Sequence, residues 1–345
     1  MLKRCLLQPA VLCLATMAFV IAQSGETVAG GRVGKVLGTT STEHPDWFKE
    51  SFLEIAEDVA EAAEGGKHVL LYFYINDCPY CHKMVEENFK SSNYSDFLRE
   101  RFDIIALNVF GDREVAIDEN THVSEKALAR QLKVRYTPTI LFLDYQNKPV
   151  LRLNGYRSVQ AFKYALDFVN EKAYARTSLS RYIEEREKRQ LYVFRPHEQL
   201  VELTDLSAVA DKPLAVLFED RTCDECDALH DEILNRAETK DILQRFTFVR
   251  FDAFSEQPIT DVAGNKTTPK AYAEALGLTY RPGIVLFDRG KEITRIDGML
   301  KTYYFQEVLR YVGERRYEQY PQLRDYLAAR TQTILESGQD IDIWK

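Results

Sequence analysis

The stretch Cys78-Pro79-Tyr80-Cys81 decides the fold of this chain. It follows the apolar run 68–75, which predicts a strand covered on both faces, and it precedes Thr137-Pro138. A second copy reads Cys223-Asp224-Glu225-Cys226 and precedes Arg281-Pro282. The first cysteine and the late proline are 60 positions apart in one copy and 59 in the other. A C-x-x-C beside a βαβ pattern indicates a thiol redox site, so the chain is predicted to carry two.

The elements around the two motifs follow one order. Each copy predicts a strand, a helix, a strand, a helix, a two-strand hairpin and a closing helix, and a helix over 47–64 precedes the first copy. This order predicts an α/β protein with two tandem domains, each a central mixed β-sheet flanked by helices. The predicted parts are domain one at 44–172, a charged helical linker at 173–197, and domain two at 198–345 with a C-terminal helix.

The N-terminus predicts export. Lys3 and Arg4 precede an apolar stretch at 11–21, and small residues then suit cleavage, so 1–22 is predicted to be a signal peptide. The alternative is an uncleaved anchor, but the stretch is shorter than the roughly 20 residues of a spanning helix. Residues 23–43 are rich in Gly, Ser and Thr and predict a flexible leader. We therefore expect a secreted protein, periplasmic if bacterial, without a membrane span after cleavage.

Charge and cysteine usage narrow the function further. The net charge is −8 and no long basic run exists, which argues against nucleic acid as a partner. Two of the six cysteines, Cys5 and Cys13, lie in the predicted signal peptide. All the remaining cysteines stand in the two pairs, whereas a disulfide-stapled scaffold would scatter more of them. This usage indicates thiol–disulfide exchange rather than stapling.

The chemistry of the first motif follows from its place at a helix start. A thiolate attacks in disulfide exchange, and unpaired N–H groups at a helix N-terminus favour the thiolate form of Cys78. Cys81, one turn later, can resolve the mixed disulfide. A cis bond at Thr137-Pro138 would leave the preceding backbone free to pair with a substrate.

Two metal-centred alternatives compete with this interpretation. Cys78 to His82 reads C-x-x-C-H, the attachment pattern of c-type haem. The second copy has Asp227 where haem attachment needs histidine, and the preceding strand favours a redox fold. Zinc ribbons keep their cysteine pairs close, whereas 142 positions separate Cys81 from Cys223. We predict no metal and no cofactor.

The motifs resemble the thioredoxin superfamily over nearly all of 44–345. Gly-Gly-Lys at 65–67, the Cys-Pro-Tyr-Cys and Ser-Glu-Lys-Ala-Leu-Ala at 124–129 look like SoxW-type and related secreted bacterial thioredoxins. The resemblance implies a thiol–disulfide oxidoreductase with Cys78 as nucleophile, Cys81 as resolving thiol and Pro138 as the cis residue. It implies protein disulfides as substrates and a membrane or soluble thiol as electron donor. Cytosolic thioredoxins place a buried aspartate and a tryptophan where this chain has Tyr72 and Asp77.

The second motif departs further. Asp224 and Glu225 place negative charge beside Cys223, and like charge disfavours a thiolate. We therefore expect Cys223–Cys226 to be the more reducing pair, which measured redox potentials of the two pairs would test. We also expect Arg281, beside Pro282, to pair with Asp224 or Glu225 and to cancel part of this effect. The alternative function is a thioredoxin-like protein-binding module in which the second disulfide is only structural.

Overall fold

The computed structural model describes residues 32–118 and 120–344. The predicted signal peptide and residues 23–31 of the predicted leader lie outside the described residues. Among the helices in the described ranges, none combines the length and apolar character needed to cross a membrane.

The first part of the chain builds a four-stranded mixed sheet with helices on both faces and a separate two-stranded sheet. Its strands are β1 (Val36–Leu37), β2 (His68–Tyr74), β3 (Phe102–Asn108), β4 (Glu114–Asp118), β5 (Thr121–Ser124), β6 (Thr139–Leu143) and β7 (Pro149–Asn154). Its helices are α1 (Ile55–Glu64), α2 (Pro79–Met84, continued as a π-helix over Val85–Lys90), α3 (Ser95–Arg101), α4 (Glu125–Gln131), α5 (Val159–Asn170) and α6 (Leu179–Arg186).

The second part repeats this architecture. Its strands are β8 (Leu214–Glu219), β9 (Thr247–Asp252), β10 (Ile259–Thr260), β11 (Lys266–Thr267), β12 (Gly283–Asp288), β13 (Lys291–Ile296) and β14 (Ile341–Asp342). Its helices are α7 (Cys226–Ala228, continued as a π-helix over Leu229–Leu234), α8 (Ala237–Leu243), α9 (Pro269–Ala275), α10 (Thr302–Gly313) and α11 (Leu323–Glu336).

The two four-stranded sheets share one topology. The strand order is β3-β2-β6-β7 in the first and β9-β8-β12-β13 in the second. The central strand β2 or β8 pairs in parallel with β3 or β9, and antiparallel with β6 or β12. The prediction of two α/β domains with mixed sheets is therefore confirmed. In both sheets the cysteine motif follows the carboxyl end of the central strand.

Each sheet is covered on both faces, which explains its continuous apolar strands. Alternate residues of β2 enter two separate clusters: Leu70 and Tyr72 pack with α2 and α5, whereas Leu71 and Phe73 pack with α1 and α4. The second sheet divides β8 in the same way. Burial on both faces fixes the direction of the central strand, and with it the position of the cysteines at its end.

The first helix begins later than predicted, at Ile55 rather than near residue 47. Tertiary hydrogen bonds hold the preceding segment in a non-helical path: Lys49 N donates to Ile104 O at 2.9 Å, and Ala116 N donates to Leu53 O at 2.9 Å. The helical spacing of the apolar residues upstream is therefore overridden by contacts with two strands.

The charged segment after α5 also departs from its prediction. We predicted a helical linker over 173–197, but the α-helix there is limited to α6. Ser178 caps its N-terminus, and Glu187 ends it in an extended conformation while its carboxylate accepts from the Arg189 N–H and guanidinium. Instead of standing in solvent, α6 places Leu179 and Ile183 over the second cysteine motif.

Equivalent loops of the two domains meet. Asn154 ends β7 and Gly155 begins the β7–α5 loop, whereas Asp297 and Gly298 begin the β13–α10 loop. Asn154 Nδ2 donates to Asp297 Oδ2 at 3.0 Å. A Cβ at Gly298 would lie 2.3 Å from Asn154 O, so only glycine allows this approach. The first and last strands of the described residues also pair, since β1 and β14 are parallel neighbours.

Candidate active site

The first cysteine motif begins α2. Cys78 is the N-cap residue, and its Sγ accepts a hydrogen bond from the Cys81 N–H at 3.1 Å. Pro79 occupies the first helical turn, where a missing N–H costs nothing. A disulfide joins Cys78 to Cys81. A donor already aimed at Cys78 Sγ stabilises the thiolate that forms when this disulfide is reduced.

The predicted proline loops lie against both motifs. The Thr137-Pro138 and Arg281-Pro282 peptide bonds are cis, as the spacing predicted for Pro138. Thr137 Oγ1 lies 3.5 Å from Cys78 Sγ, so a proline loop and the predicted nucleophile meet in the first domain.

Tyr72 occupies the position where the resemblance implies a buried aspartate. It is fully buried in the β2 strand, and its hydroxyl donates to Cys81 O at 3.1 Å. Burial raises its pKa well above the ordinary value, so the phenol stays neutral. Tyr72 positions the α2 backbone and supplies no carboxylate to accept a proton from Cys81. His82 has a buried Nδ1 without a hydrogen-bond partner among the described residues.

Domain two and the C-terminus cover the first motif. Tyr80 Oη accepts a hydrogen bond from Lys301 N at 2.9 Å, and the Tyr80 ring meets Trp344 edge-on with centroids 5.4 Å apart. Cys78 itself is only 3% exposed. The approach to the sulfur is therefore shaped by the other domain as well as by its own proline loop.

The second motif is covered reciprocally by domain one. A disulfide joins Cys223 to Cys226, and Cys223 is 3% exposed. Asp224 accepts a hydrogen bond from Ser158 Oγ at 2.5 Å, and the hydroxyl of Tyr280 donates to Glu225. Both acidic side chains of the motif therefore have partners at or near the domain interface.

The expected pairing of Arg281 with Asp224 or Glu225 is wrong. Its Nε donates to Asp220 Oδ2 at 2.9 Å, and its Nη2 donates to Ser180 at 3.2 Å. Asp220 is nearly fully buried at the end of β8, where its carboxylate draws the guanidinium away from the motif. Arg281 therefore links the proline loop to the strand and to α6.

Arg157 joins the domains. Its side chain is buried, and Nη2 donates to Thr279 Oγ1 and to Asp297 O, each at 3.2 Å. The guanidinium also lies 4.8 Å from the centroid of the Tyr280 ring, in cation–π geometry. A single domain-one residue thus fixes the tyrosine that hydrogen-bonds Glu225.

A buried acidic network lies under the second disulfide. Glu219 is fully buried, and its Oε1 lies 2.8 Å from His230 Nε2. Tyr192 donates to Glu219 Oε2 at 3.1 Å while its ring packs against Cys223 and Cys226. The equivalent position in domain one, four residues before Cys78, holds Tyr74, so domain one has no carboxylate at this place.

Sequence reasoning missed the residues that come from outside each motif. Neither Arg157 nor Glu219 belongs to a motif. Glu219 could have been noticed, because an acidic residue at the end of an apolar strand indicates a buried carboxylate. The repeated pairs Asn154-Gly155 and Asp297-Gly298, at matching places in the two copies, would have indicated the meeting loops. The structure also shows no cluster of three or more potential metal ligands within the described ranges.

Comparison with known proteins agrees with this geometry. The family model for the thioredoxin-like domain matches twice, over residues 55–170 and 204–313. The chain belongs to the thioredoxin-like family. Each match contains one cysteine motif and one cis-proline loop, so the chain is a tandem thioredoxin-like protein. A comparison with curated proteins finds no match.

Several solved structures match a length of this chain close to that of a single domain. A thioredoxin-fold protein from Helicobacter pylori is 25% identical and covers 40% of this chain and 98% of its own, with a TM-score of 0.32. A thioredoxin from Thermus thermophilus is 28% identical and covers 38% and 88%, with a TM-score of 0.27. The oxidised C-terminal domain of Neisseria meningitidis DsbD is 21% identical and covers 30% and 81%, with a TM-score of 0.24.

Glu225 gives the second motif a pH dependence. Burial raises its pKa to about 7, and the neighbouring Asp224 carboxylate acts in the same direction. The hydrogen bond from Tyr280 and the positive charges of Arg157 and Lys83 oppose this rise. Between its ordinary value of 4.5 and about 7, the folded protein therefore holds a proton that the unfolded chain releases.

We expect the free energy of unfolding to fall as pH rises through this window, by at most about 1.4 kcal/mol per pH unit. Glu225→Gln removes the titrating group, so its stability relative to wild type should increase from pH 5 to pH 8. Denaturant unfolding at the two pH values measures this, with the exposed Glu202→Gln as control. Parallel pH profiles for wild type and Glu225→Gln would contradict the assignment.

Proposed function

We propose that this protein is an exported thiol–disulfide oxidoreductase that reduces or isomerises protein disulfides. The main support for this proposal is the position of Cys78 Sγ. It lies at a helix N-terminus, 3.1 Å from the Cys81 N atom and beside the cis-proline loop. The predicted signal peptide supports export, and a periplasmic place follows if the source is bacterial. A membrane or soluble thiol would return the protein to its dithiol form.

The reaction runs in two exchanges. The Cys78 thiolate attacks one sulfur of the substrate disulfide, which breaks that bond, forms a mixed disulfide and releases a substrate thiolate. The Cys81 thiolate then attacks Cys78 Sγ, closes the Cys78–Cys81 disulfide and releases the second substrate thiolate. The two protons lost by the cysteines neutralise the two substrate thiolates, so two electrons pass to the substrate.

Reduction of insulin by dithiothreitol, followed by turbidity, tests the proposal. Wild type should accelerate it, whereas a variant with serine at all four motif cysteines should not. In addition, Cys81→Ser should accumulate a mixed disulfide with substrate that a thiol reductant releases. Equal rates with wild type and the four-serine variant, together with no trapped complex, would refute an oxidoreductase.

The second motif supports an alternative role as a protein-binding module with a structural disulfide. Cys223 faces a cavity of only about 70 Å³, lined by α5 and α6 residues. Such a site gives a substrate disulfide little room. Cys223→Ser decides between the roles: unchanged insulin reduction favours the binding module, and a large loss favours a second active site.

A further inference from the structure

A cavity of about 380 Å³ lies beside Cys78 and is built by both domains. Cys78 and Tyr136 line it from domain one, and Met299 and Leu300 line it from the β13–α10 loop. Helix α11 adds Leu327 and Ala328. Most of this lining is apolar, and its volume is typical of small-molecule sites. The space in front of the sulfur therefore fits a compact apolar body.

The walls of this cavity limit what can reach the sulfur. Lys301 N is hydrogen-bonded to Tyr80, the Trp344 ring packs on Tyr80, and β14 is held by β1. These elements stand over the motif, and Cys78 is 3% exposed. The cavity has room for a small disulfide with the domains as they stand. A protein disulfide fits there only in a narrow, flexible segment or after the domains separate.

The charged residues in the lining of the cavity affect which ligands it favours. Arg135 and Arg324 both line it, and Arg135 makes no hydrogen bond or ion pair with any described residue. Arg324 has an exposed contact with Asp325 at 3.5 Å. Two acids also line the cavity, Asp77 and Asp297. The Asp297 carboxylate already accepts hydrogen bonds from the backbone N–H groups of residues 279 and 280, so Asp77 is the acid that opposes an anionic ligand. The guanidinium groups therefore favour a ligand with a negative charge.

We propose that Cys78, in the closed arrangement of the domains, also reduces low-molecular-weight disulfides that combine an apolar body with a negative charge. This inference rests on the proposed thiol–disulfide chemistry of Cys78. The thiolate attacks the disulfide RSSR to give a Cys78–SR mixed disulfide and RS⁻. Cys81 then displaces the second RS⁻ from Cys78, and the two cysteine protons end on the two released thiolates.

The test uses the full-length chain with serine at Cys5, Cys13, Cys223 and Cys226, reduced beforehand, so that only Cys78 and Cys81 react. Stopped-flow rates are measured with the anionic aromatic disulfide 5,5′-dithiobis(2-nitrobenzoate) and the neutral 4,4′-dithiodipyridine. Comparing each variant with its parent for one probe cancels the intrinsic reactivity of that probe. Iodoacetamide alkylation reports whether the Cys78 thiolate itself is intact.

Arg135→Gln should slow the anionic probe about fivefold, as expected for an ion pair worth roughly 1 kcal/mol. The neutral probe should be unaffected, and so should both probes in the control Arg130→Gln, which changes an exposed arginine on α4. Ala328→Trp should fill the cavity and slow both probes about tenfold, or about 1.4 kcal/mol in activation free energy. The control Ala60→Trp alters an exposed alanine on α1 and should slow neither.

Each outcome separates this inference from the proposed function. If Arg135→Gln slows both probes equally or neither, or if Ala328→Trp leaves both unchanged while alkylation is normal, the cavity does not select the substrate. If the parent reacts with neither probe nor iodoacetamide, the proposed chemistry of Cys78 fails first. Insulin reduction, measured separately, shows whether proteins are substrates as well.

Discussion

Cys78→Ser is expected to reduce disulfide reduction to the rate without protein. A serine hydroxyl is not ionised near neutral pH and does not form a mixed disulfide, so the first exchange cannot begin. The fold should persist, because serine keeps a side-chain acceptor at the N-cap of α2. The measurement is insulin reduction together with the small-disulfide assay.

Cys81→Ser is the matched control. It removes a thiol from the same motif but leaves the attacking thiolate, so the first exchange and its mixed disulfide should survive while turnover stops. Alkylation of the reduced wild type across a pH series gives an independent check, since it reports the pKa of the Cys78 thiol. Full activity in Cys78→Ser would place the chemistry at the second motif.

The second large effect concerns the stability of domain two. His230→Leu is expected to destabilise it by about 1–3 kcal/mol, because it removes the closest partner of the fully buried Glu219, 2.8 Å from Oε1. Tyr192 would still donate to Oε2 at 3.1 Å, and the Arg250 guanidinium would still lie 3.6 Å from the same oxygen. Oε1 would nevertheless lose its hydrogen bond to His230 in a buried site, where an unsatisfied acceptor is costly. The double variant Glu219→Leu/His230→Leu should recover much of the loss, since apolar side chains can replace a buried pair.

Native-state hydrogen exchange of the β8 and β9 amides measures this change within domain two, which avoids assuming that the two domains unfold together. The control is Asp112→Asn, which breaks an exposed pair with Lys126 and should cost less than about 1 kcal/mol. A change below 1 kcal/mol in His230→Leu would show that Glu219 does not depend on this imidazole.

The resulting picture differs between the two motifs. In the first motif, the Cys81 N–H donates to Cys78 Sγ, the neutral Tyr72 lies beneath the motif, and a cavity lies in front of the sulfur. The second has a carboxylate that titrates near neutral pH, a buried acid beneath it and little open space. This qualifies the sequence-based expectation of unequal redox potentials. With its pKa raised to about 7, Glu225 is only partly ionised at neutral pH, so it places less negative charge beside Cys223 than the sequence suggested.

The sequence by itself determined the local parts of this protein. Continuous apolar runs predicted β2 and β8, because a strand covered on both faces needs apolar residues at every position. Matched spacing predicted both cysteine motifs and the cis bond before Pro138. Ser124 and Ser158 cap the starts of α4 and α5 in the structure, because a hydroxyl at an N-cap satisfies a free backbone N–H of the same segment. These features depend on neighbours in the chain, so a pattern can reveal them.

Only the tertiary structure decided what each motif faces. The late start of α1, the partner of Arg281 and the buried contact of Glu219 with His230 all depend on segments that are not their sequence neighbours. The same holds for the closure of the Cys78 cavity, where α11 and the β13–α10 loop come from more than 200 positions away. Hydrogen bonds and charge pairs are formed by whichever groups folding brings within reach, and a single sequence does not record that proximity.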